Sequence, residues 1–120
     1  MDKEPFQLRE RVAELAEYLF PQLDKFPRTE KWAAATRIKQ TVYEVQRYAI
    51  RVQRQPPGKK GPEIRELDLE LEFLRDLLRH AHSRQWLKMK AHKVSFNKVA
   101  EIGKMVGALR KRYGDEGAQP

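Results

Sequence analysis

The chain has no cysteine, and that absence removes disulfides, thiolate metal sites and cysteine nucleophiles together. It also has no long apolar run: the longest uninterrupted stretches are a few residues, far short of the ~20 needed to cross a bilayer. The start, Met-Asp-Lys-Glu-Pro, lacks an apolar signal region, so no membrane partner and a cytoplasmic location are expected. Histidine is scarce, and His80 and His82 stand two apart on a helical pattern, pointing different ways, which disfavours a metal site. No phosphate loop, nucleophile elbow or paired-carboxylate signature occurs, and no alternating β-rich stretch. No cofactor is therefore expected.

What the chain does have is charge, and the charge is sorted. Hydrophobic residues make up 40% and charged residues 35% of 120 positions, a composition for one folded helical domain rather than a disordered segment. The net charge of +8 divides into four blocks. Residues 1–30 carry −2, residues 31–61 carry +7, residues 62–82 carry −3 and residues 83–120 carry +6. A surplus of positive charge on two blocks points to a polyanionic partner, most simply nucleic acid. The alternative is that the alternation serves only pairing between neighbouring helices.

Each block holds one amphipathic helical pattern. Leu8, Val12, Leu15, Leu19 and Leu23 share a face, and Pro21 is expected to kink or restart that helix. After Phe26-Pro27, the stripe Ala35, Ile38, Val42, Val45, Ala49 and Val52 steps 3, 4, 3, 4, 3 without a slip. Gln55 to Pro62 is the clearest linker, with Pro62 placed for a first helical turn. Ile64, Leu67, Leu71, Leu74, Leu78 and Ala81 repeat the same stepping, and Ser95, Val99, Ile102, Val106, Leu109 and Tyr113 form the last stripe. The connection around Ser83–Lys88 is poorly marked. The expected architecture is an all-α, up-down-up-down four-helix bundle over residues 1–113, with helices at about 5–25, 28–54, 62–82 and 88–113 and a fraying tail over 114–120.

Some residues exceed what one bundle needs. Leu69, Phe73, Leu77 and His80 form a second stripe opposite the core seam of the third segment. Trp32, Tyr43 and Ile50 cluster about 120–140° from the core stripe of the second, at 100° per residue. Phe96, Ala100, Gly103 and Gly107 make an off-core strip on the fourth. A helix apolar on two faces is buried against another chain in a domain this small, so a homo-oligomer is expected through these residues. The alternative is that the ends of the first helix cover Leu69 and Phe73. Phosphate contacts are expected from Arg47, Arg51 and Arg54, from Lys59 and Lys60 on the linker, from Lys88 and Lys90, and from Lys93, Lys104 and Lys111.

Arg75 and His82 stand seven apart on one helix face, and an arginine a few residues before a histidine resembles the ribonuclease motif of the helical HEPN superfamily. The spacing is common in arginine-rich helices, and a non-enzymatic reading is preferred.

The run Phe26-Pro27-Arg28-Thr29-Glu30-Lys31-Trp32, then Leu77-Leu78-Arg79-His80-Ala81, then Glu101-Ile102-Gly103-Lys104-Met105-Val106-Gly107 resembles, in that order, Avd. This is the accessory variability determinant of diversity-generating retroelements, more distantly similar to the four-helix proteins of 23S rRNA intervening sequences. Those relatives carry an Asn-Ile-Ala-Glu-Gly-like stretch where this chain has Tyr48-Ala-Ile-Arg-Val-Gln-Arg54, so the Avd branch is preferred. The resemblance implies a basic, barrel-like homopentamer of four-helix bundles. It would bind the element's reverse transcriptase and its RNA or cDNA in support of error-prone copying, with no catalytic residues. A purely protein-binding helical scaffold is the competing expectation.

Overall fold

The computed structural model describes residues 4–114, with side chains from Gln7 to Tyr113. The tail expected to fray lies, from residue 115 onward, outside the described residues. The order is α1 (Glu4–Leu23), a one-turn α2 (Arg28–Lys31), α3 (Ala34–Arg54), a 3-10 turn (Pro57–Lys59), α4 (Lys60–Ser83), α5 (Met89–Leu109) and a wide turn (Arg110–Gly114). No strand occurs among the described residues.

The four long helices form an all-α four-helix bundle. α1 packs on α3 and α5, and α4 packs on α3 and α5, which leaves α1 opposite α4 and α3 opposite α5. The acidic helices therefore alternate with the basic ones around the bundle. Every stripe residue read from the 3- and 4-residue steps is buried, from Leu8 through Val52 and Leu71 to Leu109 and Tyr113. The alternation also produces inter-helix pairs: Lys39 to Asp24 at 2.9 Å joins α3 to the end of α1, and Arg110 to Asp68 at 2.9 Å joins the last turn to α4. Both are partly exposed, so each adds modestly.

Two expectations about the connections are corrected, and at Pro21 the restart, one of two alternatives, does not occur. α1 runs through Pro21 to Leu23 without restarting, because only one amide is lost near the helix end and Asp24 N still donates to Phe20 O at 3.1 Å. The second pattern is not one helix. It breaks at Trp32–Ala33, where Ala33 adopts φ −118°, ψ −90°, and the Thr36 hydroxyl donates to the Lys31 carbonyl at 2.9 Å to close the turn. The linker is shorter than its composition suggests, since α4 already begins at Lys60.

The unmarked α4–α5 connection is a helix stop of defined geometry. Trp86 N donates to Ala81 O at 3.0 Å and Gln85 N to His82 O at 2.9 Å, the paired bonds of a Schellman motif. Gln85 holds the left-handed conformation at φ 64°, where glycine is the usual occupant. Trp86 then folds back edge-on to His80 at 5.7 Å, and Leu87 is buried. α5 starts at Met89 behind Lys88 in extended conformation.

Candidate nucleic-acid interface

The basic residues read from the sequence fall on two opposed sides and two opposite ends. Arg47, Arg51 and Arg54 are exposed along the C-terminal half of α3. Arg47 Nε lies 3.9 Å from Glu44, and Arg51 lies 3.9 Å from Glu63 of α4 with its guanidinium 5.3 Å over the Tyr48 ring. Lys93, Lys104 and Lys111 are exposed on α5 and the turn after it. Because α3 and α5 sit on a diagonal, these two rows face away from each other. Lys59 is exposed on the 3-10 turn beside the end of α3. Lys88 and Lys90 are exposed at the start of α5, at the other end of the bundle.

Lys60 is a correction. It is only 5% exposed, and its ammonium donates to the carbonyl oxygens of Val52 and Gln53. The Tyr113 ring lies 5.7 Å away. The carbonyls of the last helical turn have no intrahelical donors, and Lys60 supplies one to α3 from the first residue of α4. It is a helix-capping cation, withdrawn from the surface row.

Helix-by-helix reading missed Lys25, Arg28, Lys31 and Arg84. All four are exposed, and the antiparallel arrangement places them at the same end as Lys88, Lys90 and Lys93. The contact of Phe26 with Trp86, at 6.0 Å between ring centres, ties the α1–α2 turn to the α4–α5 turn at this end. Among the described residues none of these seven cations forms a salt bridge. The signal available in the sequence was that alternate loops of an up-down bundle share an end.

The three histidines gather here too. His82 Nδ1 donates to Leu87 O at 2.9 Å, since a carbonyl oxygen only accepts, and this fixes its tautomer. Its ring stacks on His92 at 4.3 Å between centres and 6° between planes. Phe96 lies against the other neighbour, 4.7 Å from His92, and carries the Arg79 guanidinium 5.1 Å above it. Burial, then His82, then Arg79 hold the His92 pKa below its ordinary 6.5. No group of three histidine, aspartate or glutamate side chains able to hold a metal ion occurs among the described residues.

Arg75 and His82 are committed to different neighbours. A Cβ at Gly103 of α5 would lie 2.6 Å from the Arg75 guanidinium, which thus roofs the glycine. His82 is occupied by Leu87 and His92.

The apolar residues outside the core also separate. Leu69, 58% exposed, and Phe73 line a shallow depression on α4 with Glu70, Glu72 and Asp76. The Arg37 guanidinium sits 5.2 Å over Phe73, while Leu77 is half-buried against the core and His80 is exposed. Tyr43 meets Phe20 edge-on at 5.3 Å in a groove between α1 and α3, and Ile50 is half-buried one turn-pair further along α3. Phe96 is covered by Arg79, and Gly103 by Arg75, whereas nothing lies within 4 Å of a Cβ built on Gly107. Trp32 leaves the Tyr43 and Ile50 stripe altogether, because the break after α2 removes it from the helical register of α3.

No described helix is long and apolar enough to cross a membrane. A family model described as bAvd-like matches residues 6–113, from the first turn of α1 to the buried Tyr113. No curated protein and no solved structure matches the chain.

Proposed function

Because the chain belongs to the bAvd-like family, an accessory family of diversity-generating retroelements, we propose that it is a non-enzymatic electrostatic scaffold. In this reading it is a basic homo-oligomer that binds the element's reverse transcriptase and holds RNA or cDNA against it during mutagenic copying. The observation that carries the nucleic-acid part is unpaired positive charge. Arg54, Lys59, Lys88, Lys90, Lys93, Lys104 and Lys111 are exposed and have no salt-bridge partner among the described residues. Cations left without carboxylates attract phosphates, and the resulting affinity is salt-dependent and blind to sequence. Oligomerisation multiplies such weak contacts by raising their effective concentration.

Assembly is assigned to the α4 depression. Leu69 and Phe73 are large apolar side chains left on the surface, rimmed by carboxylates that suit the basic face of a second copy. A pentamer is the state implied by the family. Arg75 and His82 have no catalytic part in this reading.

The test is anisotropy of a labelled RNA with the purified, nuclease-treated protein at about 50 mM and about 200 mM salt. Six to ten phosphate contacts predict a loss of about 10³- to 10⁵-fold over that range. An affinity unchanged by salt, or no binding at all, overturns the nucleic-acid reading in favour of a protein-only scaffold. Co-purification with the reverse transcriptase of the same element tests the partner.

A further inference from the structure

Both tryptophans of the chain lie at the end where α1 and α4 finish, yet they behave differently. Trp86 is half-buried, touching Phe26, His80 and the Arg84 guanidinium, and it holds the two turns together. Trp32 is 86% exposed, the most exposed large apolar side chain among the described residues, and has no aromatic or cation–π partner there. It contributes nothing to the core. The turn that carries it is nonetheless built: Ala33 N donates to Glu30 O at 3.2 Å, and the Thr36 hydroxyl closes on the Lys31 carbonyl. A braced turn therefore presents an open indole face to solvent.

The surroundings of that face select its occupant. Lys25, Arg28 and Lys31 lie within seven positions of Trp32, on the same turn-and-helix segment. Arg84, Lys88, Lys90 and Lys93 come from the α4–α5 connection, joined to this segment through Phe26 and Trp86. The nearby carboxylates are Asp24, held by Lys39 at 2.9 Å, and Glu30. An isologous contact with a second copy through this end would bring two sets of unpaired cations together, which like-charge repulsion opposes. A heterologous contact with the acidic α4 rim of a neighbour is the competing occupant, and oligomer size in the test below separates it from a nucleic-acid strand. Open aromatic faces among backbone-binding cations suit unpaired nucleotides, whose bases stack on the ring while lysine and arginine meet the phosphates. Bases inside a duplex are already stacked and cannot reach the ring.

We propose that Trp32 is a base-stacking platform for single-stranded nucleic acid, flanked by a phosphate-binding ring formed by the α1–α2 and α4–α5 turns. This rests on the nucleic-acid reading above and specifies its substrate class as unpaired strand. It also predicts sequence tolerance, because every base has a π-face.

The experiment compares the full chain with Trp32→Ala and Trp32→Phe, using a labelled single-stranded oligonucleotide and a duplex of equal length. Stacking one base on an aromatic side chain corresponds to about 5- to 150-fold in affinity. Trp32→Ala is expected to weaken single-strand binding within that range, to leave duplex binding within about twofold and to leave the salt slope unchanged. Trp32→Phe is expected to restore most of the loss. Trp32 fluorescence, isolated in a Trp86→Phe background, should be quenched by the single strand. Single-strand affinity unchanged in Trp32→Ala, or an equal loss on duplex, overturns the proposal. So does a fall in oligomer size by light scattering, which would place Trp32 in a protein contact. If the unaltered protein binds no nucleic acid, the scaffold reading itself fails; if it binds and Trp32→Ala does not matter, only the stacking role fails.

Discussion

Two adjacent lysines offer a sharp test of how the fold uses charge. Lys59 is exposed on the 3-10 turn, while Lys60 is buried with its ammonium donating to the carbonyls of Val52 and Gln53. Lys60→Met keeps the aliphatic stem and removes the donor. A hydrogen bond to a charged group contributes about 1.5–3 kcal/mol net, and a cation over an aromatic ring adds about 0.5–2 kcal/mol. Relief of the ammonium's own desolvation offsets part of this loss, so a destabilisation of about 2–3 kcal/mol is expected. For a domain near 100 residues each kcal/mol shifts Tm by about 4–8 °C, which predicts a fall on the order of 10 °C in a calorimetric or circular-dichroism melt. Lys59→Met should stay within about 0.5 kcal/mol of the parent, as surface substitutions do. The RNA assay should give the opposite ranking: Lys59→Met lowers the salt slope by about one contact, and Lys60→Met leaves it unchanged. Equal Tm values for the two variants would refute the capping role of Lys60.

The α4 depression should matter for assembly rather than folding. Leu69→Ser with Phe73→Ser is expected to shift light scattering towards the monomer with little change in helicity, and an unchanged oligomer would remove this face from the interface. Gly107 has open space around its Cβ position in the single chain, so Gly107→Ala should raise stability by roughly 0.5–1 kcal/mol through helix propensity. A decrease in Tm that tracks protein concentration would show instead that a second copy fills that space. His92 is held below its ordinary 6.5, so between that folded value and 6.5 the unfolded chain binds more protons. Stability is then complete above about 6.5 and declines as pH falls through that window. Melts at about pH 7.5 and pH 5.5 should differ, and His92→Phe, which keeps a ring between His82 and Phe96, should narrow the gap.

The bundle was legible because its information is local and repeated. The 3, 4, 3, 4, 3 stepping of Ala35 to Val52 and of Ile64 to Ala81 leaves one orientation for each helix, and each of these residues is buried. The exceptions are long-range or depend on a single bond. Lys60 sits in Pro-Pro-Gly-Lys-Lys, which reads as solvated linker; only the proximity of the α3 carbonyls makes it a cap. Trp32 shares a stripe with Tyr43 only on one unbroken helix, and the turn at Ala33 takes it out of that register. The stop before α5 was hidden because Gln85, not glycine, takes the left-handed position, held by the bonds from Gln85 and Trp86 and by the burial of Leu87. The cation ring at one end draws on residues about sixty positions apart, and no window along the sequence contains both halves.

Under the proposed nucleic-acid reading, the diagonal placement of α3 and α5 constrains the shape of strand that could follow both basic rows. Their basic rows face opposite directions, so one straight rod touches only one row of a protomer. A strand that follows both must bend around an end of the bundle, within the width of two helices. Duplex DNA has a persistence length of about 150 bp, so a bend that tight is costly for it. An unpaired strand bends freely. The end formed by the α1–α2 and α4–α5 turns is where such a strand would cross from one side to the other. It is also where seven cations lack salt-bridge partners among the described residues and where Trp32 stands open. If the chain binds nucleic acid as proposed, this placement of charge predicts a flexible single strand turned around the end of the bundle, with Trp32 at the turn, rather than a straight duplex.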